Sequence, residues 1–157
     1  MRLTRHRFTI PPEIQGRIAG GDLRLLVSSG LPVLEDAAPF SPISDPKIVG
    51  QFLLLCGSPR VMQLGLNVET GEVGAIWPWA PPCFANSSLS LYADSITAFA
   101  EGLPYDADEE GYPDNILAQA DGLRRRIAQI DPPALGDNTF WNEISWDVVN
   151  GEWSSED

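Results

Sequence analysis

The apolar residues change their repeat once along the chain, and that change decides the class of fold. Before Asn86 they fall in short runs rich in large and β-branched side chains. After it they recur every third or fourth residue. Leu89, Tyr92, Ile96, Phe99 and Leu103 form one such set, and Ile116, Ala120, Leu123, Ile127 and Ile130 a second. Phe140, Ile144 and Val148 form a third. Each set is one face of an amphipathic helix. Asn86, Ser87 and Ser88 are N-cap residue types ahead of the first helix. Pro132-Pro133 ends the second. Asp137 or Asn138 is the expected cap of the third, and Asn150-Gly151 its stop.

Residues 13–29 read as a short helical region ending at Gly30, with Leu31-Pro32 stopping it. From Phe40 to Trp79 the pattern is that of strands. Ile48–Cys56 ends at Gly57-Ser58-Pro59, and Val61–Val68 and Glu72–Trp77 flank the short connection Glu69-Thr70-Gly71, which suits a hairpin. Trp77-Pro78-Trp79, followed by Pro81-Pro82, reads as the link from the sheet to the first long helix. A helix, a run of strands and then helices predict an α+β fold: a mainly antiparallel, twisted sheet packed against N-terminal and C-terminal helices. With no repeat and no linker, residues 1–157 are expected to form a single domain.

Charge is distributed as unevenly as the periodicity. The chain carries 22 acidic and 10 basic residues, net −12. Up to Ala100 the balance is eight acidic to seven basic; from Glu101 onwards it is fourteen to three. A field of that sign repels phosphate backbones and attracts basic proteins, so the expected partner is a protein and not a nucleic acid. The longest apolar runs are far short of a membrane span, and no apolar segment follows the arginines of Met1–Phe8, so the expected address is cytoplasmic.

The residues of ordinary catalytic sites are scarce. His6 is the only histidine, in a terminus read as frayed, which leaves a histidine triad without support. Lys47 is the only lysine and no glycine-rich loop leads into it, which excludes a P-loop. Cys56 and Cys83 with one histidine cannot build a standard four-ligand zinc site; both read as reduced, Cys56 within the core. Asp106, Asp108, Glu110 and Gly111 match the opening of a calcium loop, but its twelfth position is Leu117 and Pro113 interrupts it. No metal and no cofactor is expected. Arg124-Arg125-Arg126 suits the C-terminal half of a helix.

What remains is a surface for binding. Asp106, Asp108, Glu109, Glu110 and Asp114 form an acidic segment able to steer a cationic partner, and Trp77 and Trp79 are the aromatic candidates for the centre of an interface.

Several segments together are similar to a known family. Ile10-Pro11-Pro12-Glu13, Gly30-Leu31-Pro32 and Leu66-Asn67-Val68-Glu69-Thr70-Gly71-Glu72-Val73 resemble the SUKH superfamily of bacterial immunity proteins. Phe84-Ala85-Asn86-Ser87-Ser88-Leu89 looks like its F-x-N-S-S-L segment. Asp131-Pro132-Pro133-Ala134-Leu135, then Phe140-Trp141 and Asn150-Gly151, resembles the C-terminal part of its fourth group. Asp106–Asp114 and Trp77–Pro82 depart from that pattern. The resemblance implies a non-enzymatic α+β protein, with a fold like that of a yeast cell-wall regulator, that binds and neutralises a polymorphic toxin of nuclease or deaminase type. Its partner would be the cognate toxin domain, basic in character, and the chain itself a monomer or weak dimer. Two other readings stay open: a housekeeping interaction module of the same fold, and a carboxylate-dependent hydrolase. A toxin gene next door separates the first from immunity; paired carboxyls of raised pKa across a cleft would favour the second.

Overall fold

The computed structural model describes residues 1–155. The chain starts in a strand and not in a frayed end. β1 (Leu3–His6) pairs antiparallel with β2 (Leu31–Leu34), and Pro32 lies opposite Arg5. The His6 ring stands edge-on to Phe8 at 4.6 Å. Too short to show alternation, β1 gains its order from a strand some 25 residues away, which no local pattern reveals. The helical region between them is broken into α1 (Pro12–Gln15) and α2 (Gly20–Arg24), and a π-helical turn, Leu25–Ser29, carries α2 to Gly30. Leu31-Pro32 does more than stop that helix, because it opens β2.

Five strands follow: β3 (Ile48–Val49), β4 (Phe52–Ser58), β5 (Met62–Asn67), β6 (Val73–Trp77) and β7 (Ala80–Asn86). They lie in chain order, and every neighbouring pair is antiparallel. Glu69-Thr70-Gly71 forms the β5–β6 turn as expected, where the Asn67 side chain accepts from the N–H groups of Glu69 and Thr70. At Gly57 the backbone has φ 97°, and a Cβ there would sit 2.2 Å from the Met62 carbonyl oxygen, so only glycine fits. Leu53, Leu55, Leu64, Leu66, Val73 and Ala75 join the core. On the opposite face the Phe52 side chain lies against Gly65 and Gly74, whose missing side chains make the room.

Three helices complete the core: α3 (Leu89–Glu101) and α5 (Phe140–Val149) each meet β7, and α4 (Asp114–Ile130) packs against both, with a 3-10 turn at Pro132–Leu135 before the last. Leu89, Tyr92, Ile96 and Phe99 of α3 are all buried, as are Ile116, Ala120, Leu123 and Ile127 of α4. Ser88 caps α3 by accepting from Leu91 N–H at 3.2 Å. The cap of α5 is Thr139 and neither Asp137 nor Asn138. Asn138 has φ 60°, whereas a cap needs the extended backbone that Thr139 adopts.

Two features lock the layers together. Phe40, from the β2–β3 connection, is fully buried and packs its ring against Phe99, Phe140, Trp141 and Trp153 at 5.3–5.9 Å. Asn86, at the end of β7, is also fully buried. Its amide donates to Ser95 of α3 and to Asp131 after α4, each at 3.0 Å, and accepts from the Trp141 indole of α5 at 2.8 Å. The Asp131 carboxyl, 2% exposed, accepts two further bonds from the Ser87 N–H and hydroxyl, both at 2.7 Å.

Two substitutions check this architecture. Leu89→Ala should lower unfolding free energy by about 2–5 kcal/mol in denaturant titrations. Asp131→Ala, which strands the buried Asn86 amide donor and frees Ser87 to water, should cost about 1–3 kcal/mol. Asp131→Asn, which retains an acceptor, should cost clearly less.

Candidate functional site

The first candidate element is aromatic. Trp77 and Trp79 do not lie on a link between sheet and helix: Trp77 ends β6 and pairs with Ala80, and Trp79 sits in the two-residue turn of the β6–β7 hairpin. Pro81-Pro82 argued against a strand. The strand forms because β7 is the outermost of the sheet, and because the register shifts between Ala75 and Trp77. The two rings are 6.2 Å apart. Trp77 packs partly against the core, while Trp79 is 71% exposed. Cys83 on β7 carries a half-buried thiol. Burial pushes that thiol up from its ordinary pKa, and the Glu143 charge on α5 adds to the rise. Cys56 is buried, its thiol pushed up to about 12 by burial.

The second candidate element is the acidic segment. Asp106, Asp108, Glu109, Glu110 and Asp114 are all exposed, the first four on the α3–α4 connection and Asp114 at the start of α4. Two of these carboxyls are already engaged. Asp106 accepts from the Ser155 N–H at 2.6 Å and its hydroxyl at 2.8 Å, contacts that hold its pKa below the usual value. Asp108 accepts from the Glu110 N–H at 3.2 Å. Beside the segment is a cavity of about 210 Å³, lined by Tyr105, Asp106, Tyr112, Ile116 and Val149. Of the residues that match the opening of a calcium loop, Asp106 and Asp108 thus serve terminus and turn contacts. Among the described residues no group of three or more His, Cys, Asp or Glu is placed to hold a metal ion.

The structure does not join the two elements. The tryptophans share no hydrogen bond or ring contact with the acidic segment among the described residues. A different set of carboxyls emerges on α5, which spacing alone did not single out. Asp147 is partly buried, and its pKa is pushed up to about 6 by desolvation and then by the charges of Glu152 and Glu143. Beside it Trp146 is 51% exposed, with the Arg124 guanidinium 5.9 Å from the ring centroid. Arg124 also donates to Ser145, and Arg126 forms an ion pair with Glu101. Two of the three arginines of that run thus have partners within the helical layer.

A family model described as SUKH-4 immunity protein matches residues 15–147. The chain belongs to the SUKH-4 immunity protein family. Trp77–Pro82 and Asp106–Asp114, which depart from the segments that carry the resemblance, lie within the matched range. The β1 strand and the core residue Trp153 lie outside it. Immunity proteins of such families work by binding a toxin partner and are generally non-enzymatic. No curated protein and no solved structure matches the chain significantly. No helix of the described residues is long and apolar enough to cross a membrane.

The raised Asp147 carboxyl makes a signed prediction. The folded chain holds this proton up to about pH 6, against 3.8 for the ordinary group, so the folded state binds more protons between those values. Stability is therefore lost as pH rises through that window. Asp147→Asn should raise the melting temperature at about pH 7.5, and the gain should vanish by about pH 4. Thermal melts of both proteins across that range provide the check.

Proposed function

We propose that the chain is a non-enzymatic immunity protein that neutralises a basic toxin domain of nuclease or deaminase type by binding it in the cytoplasm. The match to the SUKH-4 family over residues 15–147 carries this reading. The excess of acidic residues after Glu101 supports it, since a nucleic-acid enzyme presents positive charge to its substrate and an acidic partner complements that surface. So does the scarcity of histidine, lysine and cysteine with which a catalytic site of its own could be built. The chain acts as a monomer or weak dimer.

In this reading recognition has two components. Clustered carboxyls at Asp106, Asp108, Glu109, Glu110 and Asp114 draw the toxin in, and the effect weakens with salt. The apolar centre is provided by Trp79, exposed at the turn of the hairpin and backed by Trp77.

The experiment pairs this protein with the toxin domain encoded beside its gene. Co-expression should rescue cells from the toxin, and the purified pair should form a complex. Reversing Asp108, Glu109 and Glu110 to lysine should slow association and flatten its salt dependence, with the melting temperature nearly unchanged. Trp79→Ala should mainly speed dissociation, by about tenfold or more. A toxin domain that neither binds nor is neutralised by the wild-type chain would overturn the immunity reading.

A further inference from the structure

The five-stranded sheet has a second face, turned away from the main core. Phe52, Leu54 and Ile76 stand apart from that core. The first and last meet over two glycines. A Cβ at Gly65 would lie 3.0 Å from Ile76 Cδ1 and 3.2 Å from Phe52 Cβ, and one at Gly74 would lie 3.0 Å from Phe52 Cε1. Leu54 pairs with Gly65 and Phe84 with Gly74, which puts both on the same face. Two grooves flank Phe52, which lines both. One, of about 260 Å³, is also lined by Lys47, Val49, Leu54, Gln63 and Ile76; the other, of about 180 Å³, by Asn67, Glu72, Gly74 and Phe84. Among the described residues, none from the helices lines either groove.

The charges around this face are few, balanced and sorted by end. Residues 47–84 carry Lys47 and Arg60 against Glu69 and Glu72, a neutral stretch in a chain of net −12. All four are exposed, and the one ion pair among the described residues is Arg126 with Glu101. Arg60 lies in the β4–β5 turn, at one end of β5. Lys47, whose carbonyl accepts from the Leu54 N–H at 3.0 Å, lies on the side of Phe52 nearer that turn. Glu69 and Glu72 lie on the β5–β6 connection, at the other end of β5.

We propose that this face docks a second copy of the same chain, sheet against sheet about a two-fold axis. The proposal goes beyond the immunity reading and does not depend on it. A two-fold contact needs a surface complementary to itself. With the strands of the two sheets antiparallel, the Lys47–Arg60 end of each copy faces the Glu69–Glu72 end of the other, and the apolar side chains around Phe52 and Ile76 meet between them. The parallel arrangement would set like charges together. Charge also selects a second copy over a basic partner. A neutral stretch neither repels its own kind nor attracts a cation, whereas fourteen of the 22 acidic residues lie from Glu101 onwards. A sheet about 20 Å on a side offers a footprint of about 400 Å² per copy. That is about half of what a stable complex buries on each partner, so the dimer is weak and depends on concentration.

The test follows the full chain by sedimentation and by amide resonances from about 10 µM to about 1 mM. Wild type should pass from monomer towards dimer, and the resonances that move with concentration should include Val49, Phe52, Ile76 and Phe84. Lys47→Glu with Arg60→Glu should weaken self-association at least about tenfold, and so should Glu69→Lys with Glu72→Lys. Mixed in equal amounts, the two double variants should dimerise again, because each end then meets its opposite. Net charge alone gives no such rescue, since both variants remain acidic. Melting temperatures close to that of wild type check that all four exposed substitutions leave the fold intact. A chain that stays monomeric throughout, resonance shifts confined to residues 101–155, or a mixture that fails to associate overturns the proposal. So does a monomeric chain whose Phe52, Ile76 and Phe84 resonances respond instead to the toxin domain encoded beside its gene, which would assign the face to that partner.

Discussion

One buried amide holds the layers in register. Asn86 ends the last strand of the sheet, and its side chain reaches α3 through Ser95, the end of α4 through Asp131 and α5 through Trp141. Each bond lies out of water, where an unmade one costs the full desolvation of its group. Sliding any of the three helices by one residue would leave a donor or acceptor stranded. Apolar packing around Phe40 supplies most of the cohesion, yet apolar contacts tolerate shifts that this network does not. Asp131 extends the same constraint to Ser87, so the strand-to-helix corner and the end of α4 are fixed by a single carboxyl.

That network also explains which parts of the fold were legible in the sequence. The helices α3 to α5 were readable because their signal is local, a repeat within a single stretch of chain. So was the β5–β6 hairpin, with Gly71 at its turn. Asn86 looked like one of three interchangeable cap residues, because its partners are 9, 45 and 55 residues away and only packing brings them near. β1 and β7 were hidden for related reasons. One is four residues long, and the other carries a proline pair that an outermost strand tolerates and an inner strand would not.

The candidate site divides in the same way. Exposed aromatic character was readable at Trp79, and the acidic segment was readable as a run of charge. That α5 packs against β7 was not readable, since it depends on the tertiary fold. Nor was the state of Asp147, which is set by burial and by two neighbouring carboxyls together. Composition located the charge in the second half of the chain; tertiary structure decides which of those charges are engaged and which remain free to meet a partner.

The prolines of β7 have a consequence for how such a protein can evolve. Pro81 and Pro82 are exposed on an outermost strand and have no N–H to donate, so this stretch of the sheet edge is a poor template for a further strand. A partner approaching the hairpin therefore meets side chains and little usable backbone. Backbone pairing is indifferent to sequence, whereas side-chain recognition can be rewritten one residue at a time. A lineage that must keep pace with a changing opponent can then alter the hairpin while the Asn86 clamp, facing inward, stays as it is.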